Sequence, residues 1–231
     1  MKAALAALLA LGLAACEPAS DAAFGARVRA YLLEHPEVLQ EAYEKLQEKQ
    51  AAEAQKASAA SLTKQRKALE NDPRDHVINP KGKITVVEFV DYNCGYCKLI
   101  APEVVALAKD PNMRLVFKDM TIFGAGSEYA AAASRQATGA RYVALHEAFM
   151  AQKPLDEAAV DRVLTAQGLD PAAARARRSA PAQQKYLDDQ QKLAAALGIQ
   201  GTPAFIIGDV MIPGADPEAL KAAVAEAKKK A

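Results

Sequence analysis

Tryptophan is missing from this chain of 231 residues, and cysteine and histidine occur only three times each. With aromatics at 6%, the hydrophobic share of 51% is made largely of alanine, so it overstates the core and points to many helices. An excess of either charge is also lacking. The 29 Lys and Arg against 28 Asp and Glu leave a formal net charge of +1, which offers nothing to a polyanion such as nucleic acid. His35, His76 and His146 are scattered, and no second Cys-x-x-Cys or other ligand pair accompanies Cys94 and Cys97. That argues against zinc and leaves no metal or cofactor to expect. The apolar run from Ala3 to Leu13 is too short for a permanent transmembrane helix. The length suffices for one good core plus extra elements.

What is present is organised around Glu88-Phe89-Val90-Asp91-Tyr92-Asn93-Cys94-Gly95-Tyr96-Cys97. Ile84 to Val90 is rich in β-branched residues and bounded by Pro80 and Gly82 before it and by Asp91 and Asn93 after it, which predicts a buried strand. Lys98 to Lys109 carries Leu99, Ile100, Val104, Val105 and Leu107 at helical spacing, with Pro102 as a kink. Cys94 then lies at a helix N-terminus, where unpaired backbone N–H groups and the helix dipole favour a thiolate. Cys94 is the candidate nucleophile. Cys97, one turn on and more buried, is placed to close an internal disulfide or to release a mixed one. The stretch reads as a redox site.

Residues 1–16 form a targeting segment, with Lys2 as its charge and the apolar run as its body. Its last residues, Leu13-Ala14-Ala15-Cys16, resemble the lipobox of bacterial lipoproteins, which implies cleavage before Cys16 and lipidation of it. An ordinary secretory signal is the other reading, and both export the protein. With Glu17 in the following position, the resemblance implies an anchor in the outer membrane facing the periplasm. The membrane would be met only through that lipid.

After a spacer, 17–23, comes a helical stalk, 24–74. Phe24, Val28, Tyr31 and Leu32 share one helix face; Pro36 restarts the pattern, and Val38, Leu39, Ala42, Tyr43 and Leu46 form a second stripe. Beyond Gln47 the stripe thins until Leu62 and Leu69, and Asn71-Asp72-Pro73 stops the helix. A continuous helix from Pro36 to Glu70 would run roughly 50 Å. Lys56 to Thr63 is a candidate hinge. Two short amphipathic helices have too little area for a core, so they pack on the following domain or on copies of themselves. A solvated spacer is the plainer alternative.

From 75 to 231 the pattern is α/β. His76-Val77-Ile78 and Arg114 to Phe117 are further strands, and the helix after Cys97 joins two strands as a β-α-β unit. Helical periodicity marks Ser127 to Thr138, Arg141 to Gln152, Asp156 to Ala166 and Pro181 to Leu197, with Gly139, Pro154, Gly168 and Pro171 as breaks. Ala204 to Ile207 and Val210 to Ile212 flank Gly208-Asp209 as a hairpin, and a last helix runs from Asp216 to Lys229. Strand, strand, Cys-x-x-Cys helix, strand, helical insert at about 122–197, hairpin and final helix resemble a thioredoxin fold of the DsbA-like family. The resemblance rests on Phe89-x-Asp91-x-x-Cys94-x-x-Cys97 with Pro102, on Gly198-Ile199-Gln200-Gly201-Thr202-Pro203, and on the insert. Arg29-x-Tyr31-Leu32-Leu33-Glu34-x-Pro36-Glu37-Val38 resembles the amino-terminal segment of suppressor-of-copper-sensitivity C proteins. Some of these form trimers and act as disulfide isomerases.

That resemblance implies a periplasmic isomerase with a reduced Cys94/Cys97 site, a homotrimer through residues 24–70, unfolded or misoxidised periplasmic proteins as substrates, and a membrane thiol reductant. Gly95-Tyr96 resembles the pair of DsbC-type isomerases and would tune Cys94. Thr202 and a cis Pro203 would face the disulfide and pair with extended substrate. Glu88 would be the buried acid that shuttles the Cys97 proton, with Lys118 as its partner; an edge or solvent-facing glutamate is the plainer reading. Asp91 and Asn93 read as turn formers, and the three histidines as structural or surface residues. A dithiol oxidase or reductase, and a copper(I)-binding protein of copper tolerance, remain as alternatives.

Overall fold

The computed structural model describes residues 21–230; the expected targeting segment, 1–16, and Cys16 with its expected lipidation lie outside the described residues. The chain divides into two compact units, Met1–Ala54 and Gln55–Ala231. Helix α1 (Asp21–Glu34) lies in the first, and helix α2 (Glu37–Glu70) begins there and ends in the second. Between the helices Pro36 has no N–H to continue the ladder, and the chain restarts with Val38 N–H on the His35 carbonyl. The expected hinge over Lys56 to Thr63 is unbroken helix. None of α1 is buried, and Phe24, Tyr31, Leu39, Tyr43 and Leu46 stand about half or more exposed. The apolar stripe of the first unit therefore has no partner within the described chain.

The second unit is built on a five-stranded sheet in the order β1-β3-β2-β4-β5, with β1 (His76–Ile78), β2 (Ile84–Val90), β3 (Met113–Asp119), β4 (Ala204–Ile207) and β5 (Val210–Pro213). Only β2 and β3 pair in parallel, as the β-α-β unit requires. Strands β2 and β3 are buried on both faces, which is why they read as continuous apolar runs. One face, with Val86, Val90, Leu115, Phe117 and Phe205, packs on helix α3 (Gly95–Ala108) and helix α9 (Pro217–Lys230). The other face, with Val87, Phe89, Val116 and Ile206, packs on Leu193 and Leu197 at the end of helix α8 (Pro181–Ala196) and on Leu62 and Leu69 of α2.

That second contact corrects the expected boundary between stalk and domain at 74 and 75. Leu62 and Leu69 are completely buried, so the last third of α2 belongs to the core of the sheet. Two leucines seven residues apart fall on one helix face, and that spacing suits a single docking line.

The insert consists of α4 (Ala125–Ser134), α5 (Gly139–Met150), α6 (Glu157–Ala166), α7 (Pro171–Arg178) and α8. The Ala130 to Ala133 run of α4 is wholly buried, small side chains letting α6 and α7 approach closely. Helix α7 corrects the reading of Pro171 as a break. Pro171 opens that helix at its first turn, where its missing N–H costs nothing, and Asp170 caps it by accepting from Ala172 N–H at 2.8 Å.

Leu69→Ala is expected to lower the stability of the second unit by about 2 to 5 kcal/mol, read from urea unfolding. Tyr43→Ser, on the exposed stripe, should change it by less than about 0.5 kcal/mol. Equal effects would contradict this assignment of α2.

Candidate active site

Strand β2 ends at Val90, and the chain turns through Asp91, Tyr92 and Asn93 into α3, whose N-cap is Cys94. Cys94 N–H donates to the Asp91 carbonyl at 3.1 Å and closes the turn. Cys97 follows on the first turn, on the buried side with Ile100, Ala101 and Val104, while Gly95, Tyr96 and Leu99 face outward. Both cysteines carry free thiols. They lie at the same sheet end as the Thr202–Pro203 peptide, which is cis, and the Cys94 thiol donates to the Thr202 carbonyl at 3.1 Å. Gly214 N–H donates to the Pro203 carbonyl at 2.8 Å and fixes this loop to the end of the hairpin.

The two thiols are driven apart electrostatically. Cys94 is brought down to about 5, first by a hydrogen bond from the Cys97 thiol, against the cost of burial. Thr202 and the backbone N–H groups of Tyr96 and Cys97 add to the effect. The contact that Thr202 makes is through its carbonyl, which accepts from the Cys94 thiol, while its buried hydroxyl has no hydrogen-bond partner. Cys97 is pushed far up by burial, by its bond to Cys94 and by nearby Glu88. Near neutral pH the site holds one thiolate and one thiol.

Glu88 is buried on β2, with Oε2 unpartnered, and burial together with the Cys94 charge pushes it up to about 8. It lies on the α3 side of the sheet, level with Phe117 of β3. Lys118 does not join it, which corrects that expectation. Register places Lys118 beside Phe89, and side chains alternate along a strand, so it points to the opposite face. There it forms a fully buried ion pair with Asp75 and donates to the Ala68 carbonyl, while Tyr186 donates to Asp75 at 3.1 Å. Burial holds Lys118 down and raises Asp75 to about 6.

Asp91 does more than form a turn. Its Oδ1 accepts from Asn93 N–H at 2.7 Å and Ser127 Oγ–H at 2.6 Å, and its Oδ2 accepts from the N–H groups of Ile122 and Phe123 at 2.8 and 3.1 Å. Asn93 clasps Leu155, donating to its carbonyl at 2.9 Å and accepting from its N–H at 3.1 Å. Gly126 leaves room for this clasp, since a Cβ there would lie 2.3 Å from the Leu155 carbonyl oxygen. The one sequence signal for these roles was a polar pair, Asp91 and Asn93, ending an apolar strand. His146 lies among Tyr92, Phe117 and Tyr142 with both ring nitrogens unpartnered, and His76 stacks on Tyr142. Among the described residues no three His, Cys, Asp or Glu side chains gather as a metal site.

The Cys94 thiolate should make alkylation by iodoacetamide rise with pH through about 5, and Cys97→Ala, which removes its main donor, should move that rise upward. Glu88 supplies a second check. Its carboxyl is raised in the folded state, so its contribution to stability is complete below about 4.5 and is lost as pH climbs toward about 8. The urea midpoint of Glu88→Gln should therefore gain on that of the parent protein between pH 5 and pH 8, as expected for a buried acid whose carboxyl is raised in the folded state; a constant difference would refute the buried acid.

Residues 85–225 match the DSBA-like thioredoxin domain, and residues 21–53 match the copper resistance protein ScsC N-terminal domain. A thioredoxin-like oxidoreductase from Silicibacter pomeroyi DSS-3 is similar with a TM-score of 0.65 and 39% identity, over 72% of this chain and 99% of that one. Proteus mirabilis ScsC in a transitional conformation gives 0.66 and 31%, over 92% and 99%. A periplasmic thioredoxin-like protein from Salmonella enterica serovar Typhimurium gives 0.62 and 31%, over 70% and 94%. No curated protein matches the chain.

Proposed function

The chain belongs to the DsbA-like thioredoxin family of thiol-disulfide oxidoreductases, and on that premise we propose that it is a periplasmic disulfide isomerase assembled through its amino-terminal helices. The observation that carries this reading is the unpartnered stripe of Phe24, Tyr31, Leu39, Tyr43 and Leu46, on a unit too small to bury it, within the segment matched to the ScsC N-terminal domain. An isomerase must keep a misoxidised chain bound while its sulfurs trade partners. Several sites on one assembly, a homotrimer in this proposal, prolong that encounter.

In the proposed cycle the Cys94 thiolate attacks one sulfur of a substrate disulfide. A mixed disulfide forms and the other substrate sulfur leaves as a thiolate. If that thiolate or another in the substrate attacks elsewhere in the chain, and a substrate sulfur finally displaces Cys94, disulfides have been rearranged with no net electron transfer. If the exchange stalls, Cys97 gives its proton to the Glu88 carboxylate and attacks Cys94 Sγ. The substrate thiol is released, and a Cys94–Cys97 disulfide remains for an external thiol reductant at the membrane. Gly95 and Tyr96 are the exposed residues beside Cys94, whose own side chain is almost completely covered. Main-chain groups of Thr202 beside Pro203 pair with extended substrate, which suits unfolded or misoxidised proteins of any sequence.

Export follows from the signal segment 1–16, with Cys16 lipidated and holding the protein at the outer membrane. The Salmonella relative is periplasmic, which supports that compartment.

Paired Leu39→Glu and Tyr43→Glu substitutions test the assembly. Both side chains are exposed, so folding should persist. Sedimentation should show monomers, and recovery of a scrambled disulfide-bonded protein should drop by about tenfold or more, while reduction of a small disulfide stays unchanged. Full isomerase activity in a monomer would reject the proposal.

A further inference from the structure

Lys98 directly follows the redox pair and is one turn beyond the nucleophile, its N–H donating to the Cys94 carbonyl at 3.1 Å. Its side chain is half-buried. Long lysine side chains ordinarily carry their ammonium into water, yet this one is turned inward, with Nζ donating to the Gln152 carbonyl at 2.5 Å. That carbonyl is uncharged. Among the described residues no carboxylate lies within ion-pair distance of the Lys98 ammonium. The Gln152 to Leu155 segment, the strap, is itself tied to the active-site turn by the two hydrogen bonds between Asn93 and Leu155.

We propose that Lys98 is a positioning residue of the redox centre, an ammonium strapped to the insert so that its charge favours the Cys94 thiolate over the Cys94–Cys97 disulfide. This rests on the thiol-disulfide reading of the site. The groups facing it define its role. Burial opposes the ammonium first and Lys153, on the strap, second; Asp91 is its first favourable charge, followed by Cys94 and Cys97. The four hydrogen bonds that Asp91 accepts do not involve the sulfurs, so its charge is common to both redox states. When the site is reduced, the Cys94 thiolate adds negative charge near Lys98. When the disulfide closes, that addition disappears and Lys98 keeps Asp91 alone against burial and Lys153. The lysine therefore has a different energy in the two redox states, and a group of that kind shifts the equilibrium between them.

The reaction to follow is exchange with glutathione. Two glutathione thiols supply two electrons to the Cys94–Cys97 disulfide and become glutathione disulfide. The products are the Cys94 thiolate, the Cys97 thiol and one released proton. The full chain, Lys98→Gln and Lys98→Arg are equilibrated over a series of glutathione mixtures at neutral pH, at low and at high salt, and the reduced fraction is read by mass after alkylation. Gln keeps a donor for the Gln152 carbonyl and removes the charge; Arg keeps both. Lys98→Gln should need about three- to tenfold more of the reducing couple to be half reduced, tenfold being about 30 mV for two electrons. Lys98→Arg should stay near the parent protein, and high salt should narrow the gap. A Lys98→Gln midpoint equal to that of the parent, or an Arg variant shifted as far as the Gln variant, overturns the role given to Lys98 alone. A parent protein that never forms the Cys94–Cys97 disulfide overturns this inference and the proposed function together.

Discussion

The carboxyl group of Asp91 is the point on which the active site depends. It is almost completely buried at the end of β2, and such burial is tolerable only because four donors meet its two oxygens. Those donors come from the turn that leads to Cys94, from the segment leaving β3 and from the first turn of α4. One side chain thus sets the strand, the start of α3 and the insert against each other. Asn93 repeats the connection on the other side through Leu155. The helix N-terminus that favours a thiolate is in this way placed by the insert as much as by the sheet.

With that turn fixed, the chemistry follows from a graded environment. Cys94 has donors on several sides and becomes the charged sulfur; Cys97, three residues deeper, has burial and a neighbouring acid and stays protonated. Glu88 completes the gradient, since its raised carboxyl lies close to the range where it can exchange a proton with a thiol. None of the three would have its character alone. The Cys97 thiol lowers Cys94, the Cys94 charge raises Glu88, and Glu88 raises Cys97, so removing any one of them changes the other two.

Local signals in the sequence carried most of the fold. Ile84 to Val90 and Ala204 to Ile207 end where their apolar runs end, because both strands are central and buried. Non-local facts were harder to read. Whether Lys118 shares a face with Glu88 depends on the register of β2 against β3, which neither strand encodes alone. Pro171 as a helix opener is visible only when Asp170 is read as its cap. Leu99 belongs to the helical pattern yet faces outward, since the buried line of α3 runs through Cys97, Ile100, Ala101 and Val104. The clasp between Asn93 and Leu155 spans sixty-two positions, and no spacing in the chain announces it.

Helix α2 shows how one element can serve two physical regimes. Up to Ala54 none of its apolar residues is buried, with Leu39, Tyr43 and Leu46 exposed, and its alanine, lysine, glutamine and glutamate keep it helical without a core. Beyond Gln55 the only large apolar residues of α2 are Leu62 and Leu69, both fully buried against the sheet, and Arg66, between them, binds the Gly208 carbonyl and Asp209 at the hairpin turn. Lys118 adds a further tie by donating to the Ala68 carbonyl. Freeing this stretch would expose two leucines and leave the buried Lys118 with Asp75 alone, so it is part of the catalytic unit's own structure. The apolar side chains that stay uncovered among the described residues of these two helices are therefore those that precede Gln55.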